Sequence, residues 1–304
     1  MELKLASPQA CIGDFTYNFI WQQRGTKLNP TDAIPSQIGT SYSYEAVVEA
    51  LKHGEDVRIE GDVGTRLGSS LGVDLVYFGG KGKELPEVGS LIVDGNAGAH
   101  LGMSMLSGTL YVKGKVTEPL GNVVQVGSDL EGYKKFISIT WLVHHPEKQD
   151  EHAPFEPNEF KDEKLILADG IMRDTVAARC RKDATVQVRG DAGLSVGILM
   201  RRGLVIVEGN AGMNAAALLN GGTVVVSGDV AEFLGVEMKK GVAFVKGNAR
   251  GYIGAQMTGG RIVCRRTKPI PPVKEKKLEK EDLALLGRFG ISGMLTLNYG
   301  RYEV

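Results

Sequence analysis

Cysteine is scarce. The chain of 304 residues has three, at 11, 180 and 264. None lies close enough to another for a C-x-x-C pair, so a zinc or iron–sulfur site built by this chain alone is not expected. Scattered thiols give no disulfide framework either, which points to a reducing compartment. Net charge is also lacking: 36 basic residues balance 36 acidic ones. The basic stripe of a nucleic-acid binder is therefore missing. No run reaches the ~18 uncharged apolar residues of a membrane span. Met1 to Pro8 holds no apolar core of signal-peptide length. With 11 prolines against 41 glycines, collagen is excluded. The expectation is a soluble cytoplasmic chain that meets neither nucleic acid nor membrane.

Glycine is what the chain has in excess, and it is spaced. Gly190-Asp191-Ala192-Gly193 is echoed by Gly209-Asn210-Ala211-Gly212, then by Gly228-Asp229-Val230 and Gly247-Asn248-Ala249, each 19 residues after the last. Gly95-Asn96-Ala97-Gly98 and Gly114 repeat the 19-residue step, and Gly61-Asp62-Val63-Gly64 precedes them by 34, which is 19 plus an insertion of 15. The insertion is assigned to the Gly79-Gly80-Lys81-Gly82 stretch. A small residue stands seven past each leading glycine (Gly68, Gly102, Gly121, Gly197, Ala216, Gly235, Gly254).

A period of 19 is too short for paired-helix repeats, which need ~33 or more, and for propeller blades at ~40. It fits one turn of a parallel β-helix, with rungs ~4.8 Å apart. The residues four and two before each leading glycine should then point inward. They read Val186, Val205, Val224, Ala243, Ile262 and Val188, Val207, Val226, Val245, Cys264, all apolar. The residue between them should face outward: Gln187, Ile206, Val225, Phe244, Val263, with Arg58, Ile92 and Tyr111 in the earlier copies. The fold expected is all-β: a right-handed parallel β-helix of about seven to nine rungs. Its boundaries read as an irregular N-terminal segment over 1–55 with a short helix near Ser43–Leu51, a β-helix over 56–266 interrupted by an insertion at 128–164, and a partly helical tail over 267–304.

Two columns of this helix are candidate sites. Asp191, Asn210, Asp229 and Asn248 alternate along one edge. Stacked carboxylates repel, whereas Asn between them can donate to each, so the column reads as a structural ladder. Ile206, Val225, Phe244 and Val263 make an outward apolar stripe. Such a patch is rarely left wet, so either the chain's own insertion or tail covers it, or a partner docks there.

Catalytic, cofactor and metal ligands are not found by motif. There is no G-x-x-x-x-G-K-[ST], no G-x-S-x-G and no nucleophile signature around a cysteine. His144, His145 and His152 read as histidines of an exposed loop over 144–163, and His100 as a surface turn residue. Polysaccharide-cleaving β-helices carry carboxylates in a groove where this chain has apolar residues. Hexapeptide acyltransferases have a six-residue period, of which 19 is not a multiple.

The unit G-D/N-A-G-x-x-x-G-x-x-M-x-x-G-x-x-x-V resembles the G-x-G-x-G β-helix found in the glutamate synthase large subunit and in the β-helix subunit of formylmethanofuran dehydrogenase. Pro119-Leu120-Gly121-Asn122-Val123-Val124, followed by Ser128 to Thr140, looks like the mid-chain interruption of the latter. Asp169-Gly170-Ile171-Met172-Arg173-Asp174-Thr175 and the Leu278 to Leu286 tail are similar to it as well. The resemblance covers roughly 55–300. It implies a scaffold subunit without cofactors of its own, in a cytoplasmic oxidoreductase complex that reduces CO2 to formate and condenses it with methanofuran, the first step of methanogenesis from CO2. The implied partners are an amidohydrolase subunit holding zinc and formate-dehydrogenase-like subunits holding a tungsten- or molybdenum-pterin and iron–sulfur clusters. Alternatives are the corresponding β-helix subunit of a methylotroph formyltransferase/hydrolase complex, a stand-alone glutamate synthase domain, and a β-helix enzyme acting alone.

Overall fold

The computed structural model describes residues 1–17, 29–75 and 87–304. The Gly79–Gly82 stretch, to which the insertion is assigned, lies outside them. The chain divides into two compact units, Met1–Phe155 and Glu156–Val304, and each is a stack of parallel rungs.

In the first unit, β1 (Glu2–Lys4), β2 (Val57–Glu60), β3 (Leu91–Asp94) and β4 (Thr109–Val112) pair in parallel. The register sets Leu3 beside Ile59, Ile59 beside Val93 and Val93 beside Val112, all four buried. Helix α1 (Tyr44–Lys52) starts at Ser43, whose hydroxyl accepts the Ala46 N–H at 3.1 Å, and it buries Tyr44, Val47, Val48 and Leu51.

Residues 1–55 therefore belong partly to the β-helix, because β1 is its first rung. It lacks the repeat's glycine for a physical reason. A Cβ on Gly61 would lie 2.7 Å from the Leu5 carbonyl oxygen of the rung before it, and one on Gly95 would lie 2.3 Å from that of Gly61. At these two positions the backbone of the preceding rung leaves room for glycine alone.

The expected rung after Gly114 is also different. Its strand, β5 (Val123–Val126), does not lie on β4. Strand β6 (Lys134–Ser138) runs between them, antiparallel to both. Its residues Lys135 to Ser138 are buried in succession, as in a strand covered on both faces. Helix α2 (Ile139–His144) follows directly.

In the second unit, the hairpin strand β7 (Glu159–Lys161) pairs antiparallel with β8 (Lys164–Leu167). Then β9 (Thr185–Val188), β10 (Leu204–Val207), β11 (Asn220–Val226), β12 (Lys240–Val245) and β13 (Arg261–Arg265) continue from β8 in parallel. Both inward columns are buried from Val186 to Cys264. The tail over 267–304 is partly helical. It forms β14 (Lys274–Lys276), α3 (Lys280–Arg288) and β15 (Tyr299–Glu303), with β15 antiparallel to β13.

The turns hold a regularity that composition does not reveal. Five and nine residues past each leading glycine the backbone is left-handed whatever the side chain: Ser195, Asn214, Phe233 and Tyr252 at φ 57 to 66°, and Leu199, Leu218, Glu237 and Gln256 at φ 54 to 58°. Such a conformation costs an L-residue about 1–2 kcal/mol. It aims these N–H groups at the next rung, as when Leu218 donates to the Val236 carbonyl and Glu237 to that of Ala255, both at 2.8 Å.

Candidate functional site

The Asp/Asn column is a hydrogen-bonded ladder. Asp191 Oδ1 accepts the Asn210 backbone N–H at 2.7 Å and its side-chain Nδ2–H at 3.2 Å. Asn210 Oδ1 then accepts the Asp229 N–H at 2.9 Å, and Asp229 Oδ1 accepts both donors of Asn248. Asn210 therefore donates its amide to one neighbour rather than to each, because its oxygen is turned toward the backbone of the next rung. The first unit repeats the device: Asp62 Oδ1 accepts the Asn96 N–H, and Asn96 Oδ1 that of Lys115, both at 2.8 Å. The Asn96 backbone and side-chain bonds hold the Asp62 carboxyl below the ordinary carboxylate range. An oxygen committed to the next rung is occupied structurally and is poorly placed as a catalytic base.

The outward stripe is covered by the chain itself. Val225, Phe244 and Val263 are buried in one cluster with Leu286, Ile291 and Tyr299, and Ile206, Leu285 and Phe289 pack against it. Phe244 and Phe289 have ring centroids 5.1 Å apart. Of the two covers expected, the tail is the one the structure shows: its apolar face lies on the stripe.

A latch holds α3 down. Asp282 has no exposed surface. Its Oδ2 accepts the Glu279 N–H at 2.9 Å in a capping box and lies 3.2 Å from Arg301 Nη1, while Arg261 Nε stands 3.1 Å from Oδ1.

On the first unit the outward row carries three polar side chains and one aliphatic one: Arg58, Ile92, Tyr111 and Lys135 lie opposite one another across β2, β3, β4 and β6. Arg58 makes a bidentate pair with Asp94, Nε to Oδ2 at 2.7 Å and Nη2 to Oδ1 at 3.0 Å, and also donates to the Tyr133 hydroxyl, which itself donates to Asp94. Tyr111 and Lys135 both donate to Asp129 Oδ1 at 2.8 Å. Burial, then the Asp129 bond, pushes the Tyr111 hydroxyl pKa up, and the Lys135 ammonium pulls the Asp129 carboxyl down. Beside this row lies a cavity of about 380 Å³ lined by Lys4, Thr40, Arg58, Glu60 and Asp94. Its cations are matched, Lys4 by Glu60 at 2.5 Å and Arg58 by Asp94. The row was visible in the sequence as Arg58 and Tyr111; their partners Asp129 and Tyr133 were not, because both lie in the irregular insertion.

The histidines are not loop residues in water. His144 is buried at the end of α2, His145 stacks on Trp141 at 4.6 Å between centroids, and His152 meets the same ring edge-on at 5.3 Å. Burial, then the Lys135 ammonium, holds His152 below its ordinary range. The apolar run from Ile137 to Val143 pulls this segment inward. No group of three or more His, Cys, Asp and Glu side chains placed to hold a metal occurs among the described residues. Burial pushes the Cys11 and Cys264 thiols up to about 12, so both are protonated at neutral pH. None of the helices among the described residues is long and apolar enough to cross a membrane.

The segments that carry the family resemblance are buried networks. Asn122, Ser138 and Thr140 are wholly buried. Asn122 Nδ2 donates to the Met105 carbonyl at 2.9 Å and to Thr140 Oγ1 at 2.8 Å, and Ser138 Oγ donates to the same carbonyl at 2.7 Å while capping α2. In the second unit, Arg173 is 2% exposed and forks onto Asp169 at 2.7 and 2.6 Å. Asn158 donates to Asp169 Oδ2 at 2.8 Å, and Asp174 Oδ1 accepts the Leu194 N–H at 2.7 Å.

No protein-family model matches the chain. A chain of a solved structure, the formyltransferase/hydrolase complex of Methylorubrum extorquens with methylofuran, is 19% identical, and the match covers 98% of this chain and 91% of that one at a TM-score of 0.32, too low to carry a structural or functional argument. A protein of Methanothermobacter thermautotrophicus, described as uncharacterized, is 51% identical over 292 residues, covering 96% of this chain and 92% of that protein. At that identity and coverage, this chain belongs to the family of the Methanothermobacter protein.

Proposed function

We propose that the chain is the non-catalytic β-helix scaffold of a formylmethanofuran dehydrogenase. It works in the cytoplasm, bound to an amidohydrolase subunit and to formate-dehydrogenase-like subunits that carry the tungsten- or molybdenum-pterin and the iron–sulfur clusters. The observation that carries this reading is the use to which the resembling motifs are put. Asn122, Ser138 and Thr140, and Asp169, Arg173 and Asp174, build the body of the protein with their polar atoms turned into it. A likeness made by framework residues supports a shared architecture and role in assembly, and it supports no catalytic group. The matched charges around Arg58 and the occupied Asp/Asn ladder agree with a supporting part.

Affinity purification of the tagged full-length chain from its native cells, followed by mass spectrometry, tests this. The expected companions are an amidohydrolase and a pterin-type subunit. Recovery with an amidotransferase and a flavin domain would move the chain to glutamate synthase. Recovery with formyltransferase and hydrolase subunits but no pterin subunit would move it to the methylotroph type of complex. Metal analysis of the dialysed chain alone should find no stoichiometric zinc, iron, molybdenum or tungsten.

A further inference from the structure

The tail that covers the stripe has a second, outer face, and that face is apolar. Within the short 3-10 segment Gly293–Asn298, Met294 is 84% exposed, Leu295 58% and Leu297 64%. Leu283 on α3 is 44% exposed. The stripe does not need these side chains, since Leu286, Ile291 and Tyr299 already fill that contact. Together they exceed the scattered apolar residues of an ordinary surface.

Leu283 and Leu297 also line a groove of about 510 Å³, with Leu278 beside them. The groove has a charged rim. Arg266 and Glu275 stand 3.5 Å apart and neutralise each other. Lys276 and Lys277 complete the rim, both exposed, with no carboxylate partner among the described residues. The opening is therefore an apolar trough with an uncompensated positive edge.

We infer that this groove receives a segment of a partner protein in which apolar side chains are flanked by aspartate or glutamate. The apolar side chains enter between Leu278, Leu283 and Leu297, and the carboxylates meet Lys276 and Lys277. Complementary charge of this kind steers encounter and fixes register, while the buried apolar anchors supply the affinity. An anionic bilayer is a poorer fit, because stable electrostatic attachment uses clusters of about four to eight cations and the rim leaves two. The inference rests on the proposal that the chain works in a complex, and it names the tail as a contact.

The test uses the full-length chain in its native cells, with a photo-crosslinking amino acid at Leu297 and, as a control, at Glu237 on the solenoid turn. The expected result is one discrete adduct from Leu297 and none from Glu237, with the crosslinked peptide drawn from another protein of the complex and bearing Asp or Glu next to apolar residues. The paired variants Met294→Asp/Leu297→Asp and Lys276→Glu/Lys277→Glu should each lower recovery of that partner by about tenfold or more. Their thermal midpoints should stay at the wild-type value, since all four side chains are exposed. An adduct to a second copy of the chain, to lipid, or to a segment without carboxylates overturns the inference, and so does unchanged recovery with both variants. Unchanged recovery leaves the scaffold role standing, whereas a wild-type chain that recovers no partner removes both.

Discussion

Arg301 Nη1 lies 3.2 Å from Oδ2 of Asp282, a carboxylate with no exposed surface, and this contact ties the last strand of the chain to the helix over the stripe. Asp282 also accepts the N–H of Glu279 and faces Arg261. Removing one member of a buried charge pair strands the other, at a typical cost of about 3–5 kcal/mol. Arg301 keeps Glu279 at 2.5 Å and Glu303 at 2.8 Å, so the lower end applies. Asp282→Ala should destabilise the second unit by about 3 kcal/mol and expose residues 267–280 to limited proteolysis. A wild-type digestion pattern would mean that apolar contact alone holds the tail.

Phe244 tests the other half of that attachment. Its ring is fully buried between the β-helix and the tail, against Phe289. Phe244→Ala opens a cavity on the outer face while leaving the inward columns untouched. The expected loss is about 3–5 kcal/mol, read by chemical denaturation, with the tail released before the rungs. Loss of the rungs and tail in one step would show that the tail is part of the same cooperative unit.

The β-helix was legible because its spacing rule acts on backbone, which no side chain can disguise. Where the backbone of the preceding rung stands this close only glycine fits, so Gly95, Gly209, Gly228 and Gly247 announced the fold. The same rule concealed β1, which has nothing beneath it and hence no glycine. The ladder from Asp191 to Asn248 was legible for a similar reason, as stacking makes neighbours of residues 19 apart. What covered the stripe was not legible: hydrophobicity specifies that Val225 and Phe244 are buried, and it is indifferent to whether the cover comes from the tail or from another chain. The Arg58–Asp94–Tyr133 cluster escaped because its members are 36 and 39 residues apart and obey no period.

The Asp169–Arg173 pair makes a prediction about acid. Burial pushes the Asp169 carboxyl up, but the Arg173 guanidinium and the Asn158 amide outweigh it and hold it below the ordinary 3.8. A carboxyl with a lowered folded pKa contributes stability in full above its unfolded value and loses it as pH falls through the folded one. The second unit should therefore weaken below about pH 4. Asp169→Asn should lower the stability of the second unit at pH 7 by about 1.5–3 kcal/mol, since the charge-assisted fork from Arg173 onto Asp169 is lost. Asp169→Asn should also flatten the decline at low pH, and unfolding midpoints measured between pH 7 and pH 2 would reveal an unchanged slope if another carboxylate governs the transition.

The left-handed turn positions predict opposite signs for two substitutions in the same corner of the rung. Gly197 has φ +69°, and a Cβ there would stand 2.5 Å from Val224 Cγ2. Gly197→Ala adds about 1–2 kcal/mol of backbone strain to about 1–3 kcal/mol of overpacking, giving a loss of about 3 kcal/mol. Glu237, at φ +54°, is exposed and packs on nothing that its removal would hollow. Glu237→Gly relieves about 1–2 kcal/mol of strain against about 0.5–1 kcal/mol of added chain entropy, so stability should rise by about 0.5–1 kcal/mol. The Glu237 N–H bond to Ala255 survives the change, since the backbone supplies it. Denaturant titration of both variants decides the matter: a loss with Glu237→Gly would mean that the rungs relieve the left-handed strain on their own, and that these positions carry no cost for glycine to remove.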